Sequence, residues 1–361
     1  MEEYLRQQLS CLCRSVRPAD ADSMAAAKCH WDRIAKPLEG LGHFEDMLIK
    51  VAGIQRTEDV KLERKAVVVF CADNGVVAEG VTQTDSSVTA VVTENFAKGI
   101  ASVNRMAAVA GADVIPVDMG VAGEIREPGV RNLKIASGTA NLRREPAMSE
   151  EQALEAIHAG IALAGELKDS GYQLLALGEM GIGNTTTSSA VASVLLNTAV
   201  ESVTGRGAGL SGEGLKRKIQ VIEEAIALHQ PSPDEPLKVL SCLGGFDIAG
   251  MTGLLLGGAV YGIPVVLDGM ISAVAALLAQ AFCPRVTDYI LPSHLGKEPA
   301  CALVMERLGL EPVIHGQLAL GEGTGAVMLF PLLDMAYEVY QENSTFADIQ
   351  IEAYEHFEED R

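Results

Sequence analysis

Two glutamates stand beside glycines in short motifs that each follow an apolar run. They are Gly178-Glu179-Met180-Gly181-Ile182-Gly183-Asn184-Thr185-Thr186 and Gly321-Glu322-Gly323-Thr324-Gly325. A carboxyl group drawn out of water at such a turn binds its proton more tightly, which brings it into the range useful for acid–base work. Each turn also opens a helix-forming segment, and the free N–H groups at a helix start bind anions. Gly181 and Gly183 allow the backbone to approach an anion closely, while Asn184, Thr185 and Thr186 offer caps and side-chain donors. A plain strand-to-helix turn accounts for either motif alone. Two together point to a buried acid placed next to a phosphate.

The elements that must position these motifs can be read from short apolar runs at residues 66–71, 113–117, 173–177, 238–243, 263–267 and 286–291, most of them separated by helix-length segments. This alternation predicts an α/β fold, a Rossmann-like parallel sheet flanked by helices. Runs such as Val67-Val68-Val69-Phe70 and Pro264-Val265-Val266-Leu267 suit strands covered on both faces. Ligands of such sheets collect beyond the strand C-termini. There the chain places Asp73-Asn74-Gly75, Asp118-Met119-Gly120, Gly178-Glu179, Gly244-Gly245-Phe246-Asp247, Asp268-Gly269-Met270 and Ser293-His294. Asp73 and Asp118 read as helix caps rather than catalysts. Residues 1–56 and 326–361 are expected to form a smaller helical domain, with 65–325 as the large α/β catalytic domain and the charged stretch 57–64 between them.

Composition limits the partners. Of 361 residues, 48% are hydrophobic and only 4% aromatic, so the core is built from aliphatic side chains, alanine and glycine. A formal charge of −20 repels nucleic acid and anionic membranes, and any phosphate must be held by local donors. The seven cysteines show no pair-of-pairs spacing for a metal and read as reduced thiols of a cytoplasmic protein. Acidic residues at the N-terminus argue against a secretion signal. The uncharged run 248–267 reads as a helix, a turn at Gly262-Ile263-Pro264 and a buried strand, not a membrane span.

The motifs together resemble the nicotinate-nucleotide:dimethylbenzimidazole phosphoribosyltransferase family. The likeness runs through residues 72–81, Gly138-Thr139-Ala140-Asn141, Pro146-Ala147-Met148, 178–186, 244–247, Leu267-Asp268-Gly269, Ser293-His294 and 320–325. It implies that ribose 5-phosphate moves from nicotinate mononucleotide to an aromatic lower-ligand base of a cobamide, with inversion, releasing nicotinate. A pyridinium is already a good leaving group, so the chemistry requires no metal or cofactor. By the resemblance Glu322 is the catalytic base and Glu179 a second active-site carboxylate facing the positive charge that builds on the ribose. Gly181, Gly183, Asn184, Thr185, Gly207, Gly209, Lys218, Asp268 and Ser293 are carried over to the nucleotide and its phosphate. Lys218 also reads as a solvated helix residue, and His294 as a satisfied loop histidine.

Two stretches depart from the family pattern. Thr84-Asp85-Ser86-Ser87-Val88-Thr89 replaces a Pro-Gln-Glu-Val-Thr segment that lines the acceptor pocket, and Lys36-Pro37-Leu38-Glu39-Gly40-Leu41-Gly42 alters an early motif. Asp85 and Ser86, with Met180 and Leu320 as apolar walls, are therefore the expected acceptor residues. A serine in place of an amide admits a different base, or a phenol whose oxygen attacks. The assembly implied is a homodimer or a heterodimer with a paralogue, in which a non-catalytic binding role is the alternative. A dehydrogenase reading fails because Ala72-Asp73-Asn74-Gly75 lacks the dinucleotide glycine pattern, and a phosphate-loop kinase fails for want of Gly-Lys-Ser/Thr.

Overall fold

The computed structural model describes residues 1–356, so most of the acidic tail 355–360 lies outside the described residues. Helices α1 (Glu2–Ser15), α2 (Ala21–Arg33) and α3 (His43–Gln55) precede strand β1 (Lys65–Ala72). Helices α4 (Ser87–Ala97) and α5 (Ser102–Val109) lead into β2 (Ala112–Gly120) and the short edge strand β3 (Arg131–Asn132). The long helix α6 (Glu150–Asp169) then returns the chain to β4 (Leu174–Met180). Helices α7 (Asn184–Leu195), α8 (Val200–Val203), α9 (Gly212–His229), α10 (Pro236–Leu243) and α11 (Phe246–Tyr261) come before β5 (Val265–Val266). After α12 (Met270–Phe282) follow β6 (Ile290–Leu291), α13 (Pro299–Leu308) and α14 (Thr324–Glu342).

The six strands form one sheet in the order β3-β2-β1-β4-β5-β6, every neighbouring pair parallel. The chain winds one way from β1 to β2 and the other way from β4 onward. The topological switch point therefore lies between β1 and β4, where α/β sheets open a crevice at their carboxyl ends. All eight residues of β1 are buried, and their alternation assigns them to two cores. Ala66, Val68, Phe70 and Ala72 pack among α6, α7, α11 and α12, whereas Val67, Val69 and Cys71 pack among α3, α4, α5 and α14. A continuous apolar run is what a strand with helices on both faces requires. Lys65 is the exception in sequence, and its ammonium is paired with Asp334 of α14 at 2.5 and 2.6 Å.

The two chain ends meet different parts of this frame. Helix α1 lies on α6 and α11, with Leu9 and Val16 in their core. Helix α3 packs on α14, and Ile34 bridges Thr345, so residues from both ends share the core that includes Trp31, Leu48 and Phe330.

Most runs read as strands are strands, with two corrections. Residues 238–243 form the last turns of α10: Pro236 at the first turn starts a helix well, and Leu237, Leu240 and Leu243 recur at helical spacing on its buried side while Lys238 is exposed. In 286–291 only Ile290–Leu291 pairs, because a 3-10 turn over Pro284–Tyr289 consumes the rest. The uncharged run 248–267 does divide into helix α11, a left-handed Gly262 at φ 68° and strand β5. Among the described residues no helix is long and apolar enough to cross a membrane.

Candidate active site

Strand β4 delivers Glu179 to the switch-point crevice, beside Phe70 of β1. The chain then turns tightly: the Asn184 N–H donates to the Gly181 carbonyl at 3.0 Å, and Gly183 begins α7 at φ 95°. Only glycine holds that backbone without strain. A side chain on Gly183 would meet Val77 at 3.0 Å, and one on Gly181 would meet the Ala72 carbonyl at 2.4 Å. These glycines thus bring the loop down onto the end of β1, and their missing side chains point into the protein rather than into the cleft.

Glu179 and Asp247 are bridged by Asn184, whose Nδ2 donates to Glu179 Oε2 and, at 3.2 Å, to Asp247 Oδ2. Part of Glu179 faces the open cleft, but its carboxyl is otherwise enclosed. Burial pushes its pKa up to about 8; the Asn184 hydrogen bond works against this, and the nearby Asp268 and Asp247 charges reinforce it. Asp247, fully buried at the start of α11, is pushed up to about 6, again by burial first. In the free protein at neutral pH Glu179 therefore keeps its proton.

The second motif repeats the turn. Thr324 donates its N–H at 3.0 Å and its hydroxyl at 2.8 Å to the Gly321 carbonyl, and Gly323 begins α14 at φ 88°. Glu322 itself lies in the left-handed region at φ 62°. Its Oε2 accepts the Val103 N–H of α5 at 3.3 Å, and burial raises its pKa above the ordinary value. The two loops are stacked: a side chain on Gly321 would come within 2.6 Å of Glu179 Oε1, and one on Gly178 within 2.5 Å of the Glu322 carbonyl.

Asp268, at the end of β5, ties this second loop down. Its Oδ1 accepts the N–H groups of Gly325 at 2.8 Å and Ala326 at 3.1 Å, and its Oδ2 accepts that of Gly323 at 3.2 Å. It thus acts as a cap for α14 supplied from another element. Burial pushes its pKa up, opposed by His294 and by those N–H groups. His294 is held below its usual range by burial and faces Asp268 at 3.9 Å. Ser293 is completely buried and donates to the Leu267 carbonyl at 2.6 Å, so it stands behind the cleft wall that His294 lines.

The remaining candidates divide between the cleft and its surroundings. Thr185 and Gly207 line it, and Lys218 lies beneath them, fully buried, donating at 2.8 Å to Thr185 Oγ1 and at 3.3 Å to the Gly205 carbonyl. Burial lowers the Lys218 pKa to about 8, with Glu298 opposing. Lys218 is therefore not the solvated helix residue its basic neighbours suggest. The Gly209 carbonyl accepts from Gln83 at the rim. Met180 and Leu320 border the cleft, but Leu320 is 54% exposed, so the burial of Glu322 comes from the stacked loop and α5 rather than from that side chain. Asp85 and Ser86 lie outside the lining, and Asp85 accepts the Ser87 N–H at 2.9 Å.

Residues 16–351 match a family model described as phosphoribosyltransferase. The nicotinate-nucleotide:dimethylbenzimidazole phosphoribosyltransferase of Ruminiclostridium cellulolyticum is 45% identical over 344 residues, 95% of this chain and 98% of that one. The enzyme of the same name from Clostridium acetobutylicum is 45% identical over 343 residues, covering 95% and 97%. The crystal structure of CobT from Thermus thermophilus superposes with a TM-score of 0.87 at 40% identity, covering 92% of this chain and 99% of that one. The chain belongs to the nicotinate-nucleotide:dimethylbenzimidazole phosphoribosyltransferase family.

For a phosphoribosyltransferase of this family the cleft has a telling construction. The N-termini of α7, α12 and α14 line it through Asn184, Met270 and Thr324. Those of α7 and α12 offer the positive end of a helix dipole, whereas the first N–H groups of α14 are already taken by Asp268 and the turn. Two functional neighbours escaped the reading of the sequence. Asp247 was visible as part of a cluster but without a role, since its partner Asn184 is remote in sequence. Glu298, whose Oε1 accepts the Gly207 N–H at 3.0 Å, carries no local signal at all.

Proposed function

We propose that this chain transfers ribose 5-phosphate from nicotinate mononucleotide to an aromatic lower-ligand base of a cobamide, dimethylbenzimidazole or a related base, with inversion at the anomeric carbon. The products are an α-riboside phosphate and nicotinate. The observation that carries the reading is the pair of acids, Glu179 and Glu322, carried on two stacked loops that line one cleft with the N-termini of α7 and α12. An anionic nucleotide is drawn to the helix ends, and the buried acids meet the cationic pyridinium–ribose bond.

Glu322 takes the proton of the acceptor as its nitrogen bonds to the anomeric carbon. One of its oxygens is engaged by the Val103 N–H, which leaves the other for the acceptor, and burial strengthens its proton affinity. Glu179 keeps its proton in the free protein, and the arriving pyridinium cation favours release. The ionised carboxylate then stabilises positive charge on the ribose as nicotinate departs. The phosphate lies at the start of α7 near Thr185 and Gly207, where its charge raises the proton affinity of Lys218 from its lowered value. Asp268 supports the chemistry by fixing the loop that carries Glu322.

The test is to incubate the purified chain with nicotinate mononucleotide and a mixture of benzimidazoles, purine and phenols, then identify ribosides by mass and their anomeric form by NMR. An α-riboside phosphate of a benzimidazole, formed with equal nicotinate release, is expected. A phenolic riboside as the dominant product would replace the acceptor. No acceptor-dependent nicotinate release from the chain alone would overturn the catalytic reading in favour of a binding subunit.

A further inference from the structure

A cavity of about 520 Å³ lies remote from the cleft, between the end of α1 and the end of α12. Leu9, Leu154 and Phe282 form an apolar wall, Arg285 stands at one side, and both Cys13 and Cys283 line it. Cys13 is in the last turn of α1; Cys283 follows the last residue of α12. The Cys283 thiol donates to the carbonyl oxygen of Cys13 at 3.7 Å. That oxygen is two bonds from the Cys13 Cα and both residues line the same cavity, which places the two thiols as neighbours. Cys11, two residues earlier on the helix, is exposed on another face and is no competitor.

We propose that Cys13 and Cys283 are a dithiol modification site, at which low-molecular-weight disulfides convert the pair to an intramolecular disulfide that ties α1 to α12. The two thiols are unequal. Cys283 is lowered to about 7 by the hydrogen bond from Cys13, with the N–H groups of Arg285 and Val286 and the Arg285 charge adding to it and burial opposing. Cys13, the donor in that hydrogen bond, is raised by it. Cys283 is thus the attacking thiolate. It bonds to one sulfur of the external disulfide and expels the other half as a thiolate, leaving a mixed disulfide. With the Cys283 thiolate gone, the main cause that held the proton on Cys13 is gone too. Cys13 gives its proton to the departed thiolate, attacks the Cys283 sulfur and expels the second thiolate. Two protein thiols are oxidised and one external disulfide is reduced.

The experiment treats the full native chain with glutathione disulfide near pH 8, followed by acid quench, alkylation and peptide mapping. The wild type should lose two of its seven titratable thiols and yield a peptide joined through Cys13 and Cys283. Cys13→Ser and Cys13→Ala should both halt with glutathione on Cys283. Cys283→Ser should give no joined peptide and label Cys13 at least about tenfold more slowly. The oxidised wild type should melt a few degrees higher while keeping transfer activity within about twofold, since the pair does not touch the cleft. A wild type that retains all its thiols, that stays as the mixed disulfide, or that pairs through Cys11 would overturn the proposal. The wild-type arm decides the matter even if a variant fails to fold.

Discussion

The loops that carry Glu179 and Glu322 are built alike and charged differently. Both end in a left-handed glycine that begins a helix, and both close with an N–H donated to a glycine carbonyl three residues back. Glu179, however, sits on a regular strand, is bridged to a second buried acid through Asn184, and has the larger rise in proton affinity. Glu322 sits on the strained turn itself, is touched by one backbone N–H, and depends on Asp268, just beyond β5, for its position. Similar backbone turns therefore yield an acid linked through an amide to a second buried carboxyl in one case and a carboxyl touched by a single backbone N–H in the other. The neighbours, not the turn, make the difference.

The largest effect expected is that of Glu322→Gln, which keeps the shape and removes the base. Its kcat should fall about a thousandfold while nicotinate mononucleotide binds nearly as before. A parallel loss of affinity in titration calorimetry would show that Glu322 holds the nucleotide instead. Next is Asp268→Asn, which sets an amide where three N–H groups seek acceptors. It should cost about 2–3 kcal/mol in denaturant unfolding and lower kcat by about a hundredfold through the loose Glu322 loop. If Glu322→Gln and Asp268→Asn together are no worse than Glu322→Gln alone in kcat, the effect of Asp268 runs through Glu322.

Glu179→Gln sharpens the comparison through pH. The native carboxyl holds its proton up to about pH 8, whereas an unfolded glutamate releases it near its ordinary value of 4.5. The native state binds more protons across that window, so wild-type stability from this group is full below it and lost as pH rises through it. The variant lacks this slope, and its Tm relative to wild type should climb between about pH 5 and pH 9. Its kcat should fall about tenfold. A flat Tm difference would mean that Glu179 is ionised in the free protein. The smallest effect belongs to Ser86→Gln. Because Ser86 is not among the residues lining the cleft, the ratio of dimethylbenzimidazole to phenol transfer should move by less than about threefold. A tenfold change would bring the 84–89 stretch into contact with the acceptor.

The frame of this molecule was readable because β1 and β4 are long, apolar and bounded by charged or glycine-rich turns. Lys238 to Leu243 misled because six residues, all but Lys238 buried, are too short a window to separate a helical period from that of a strand. Within the site, the glutamate–glycine motifs were visible since the carboxylate and the turn are adjacent in the chain. The direction of the glycines was not. That Gly181 and Gly183 pack onto Ala72 and Val77, instead of leaving room in the cleft, follows from the approach of β1 to the loop. Asp247 against Asn184, and Asp268 on the start of α14, are likewise meetings of distant elements that no local pattern announces.

One consequence of the Glu322 backbone concerns what this fold would become if only its durability mattered. A non-glycine residue in the left-handed region carries about 1–2 kcal/mol of strain, and this one lies between two glycines that already have positive φ. Glycine at 322 would relieve that strain and leave the Asp268 anchors on Gly323, Gly325 and Ala326 intact. A heat-resistance screen blind to activity should therefore accumulate Glu322→Gly, and retention of the acid under dual selection for heat resistance and transfer would measure how strongly turnover opposes that drift.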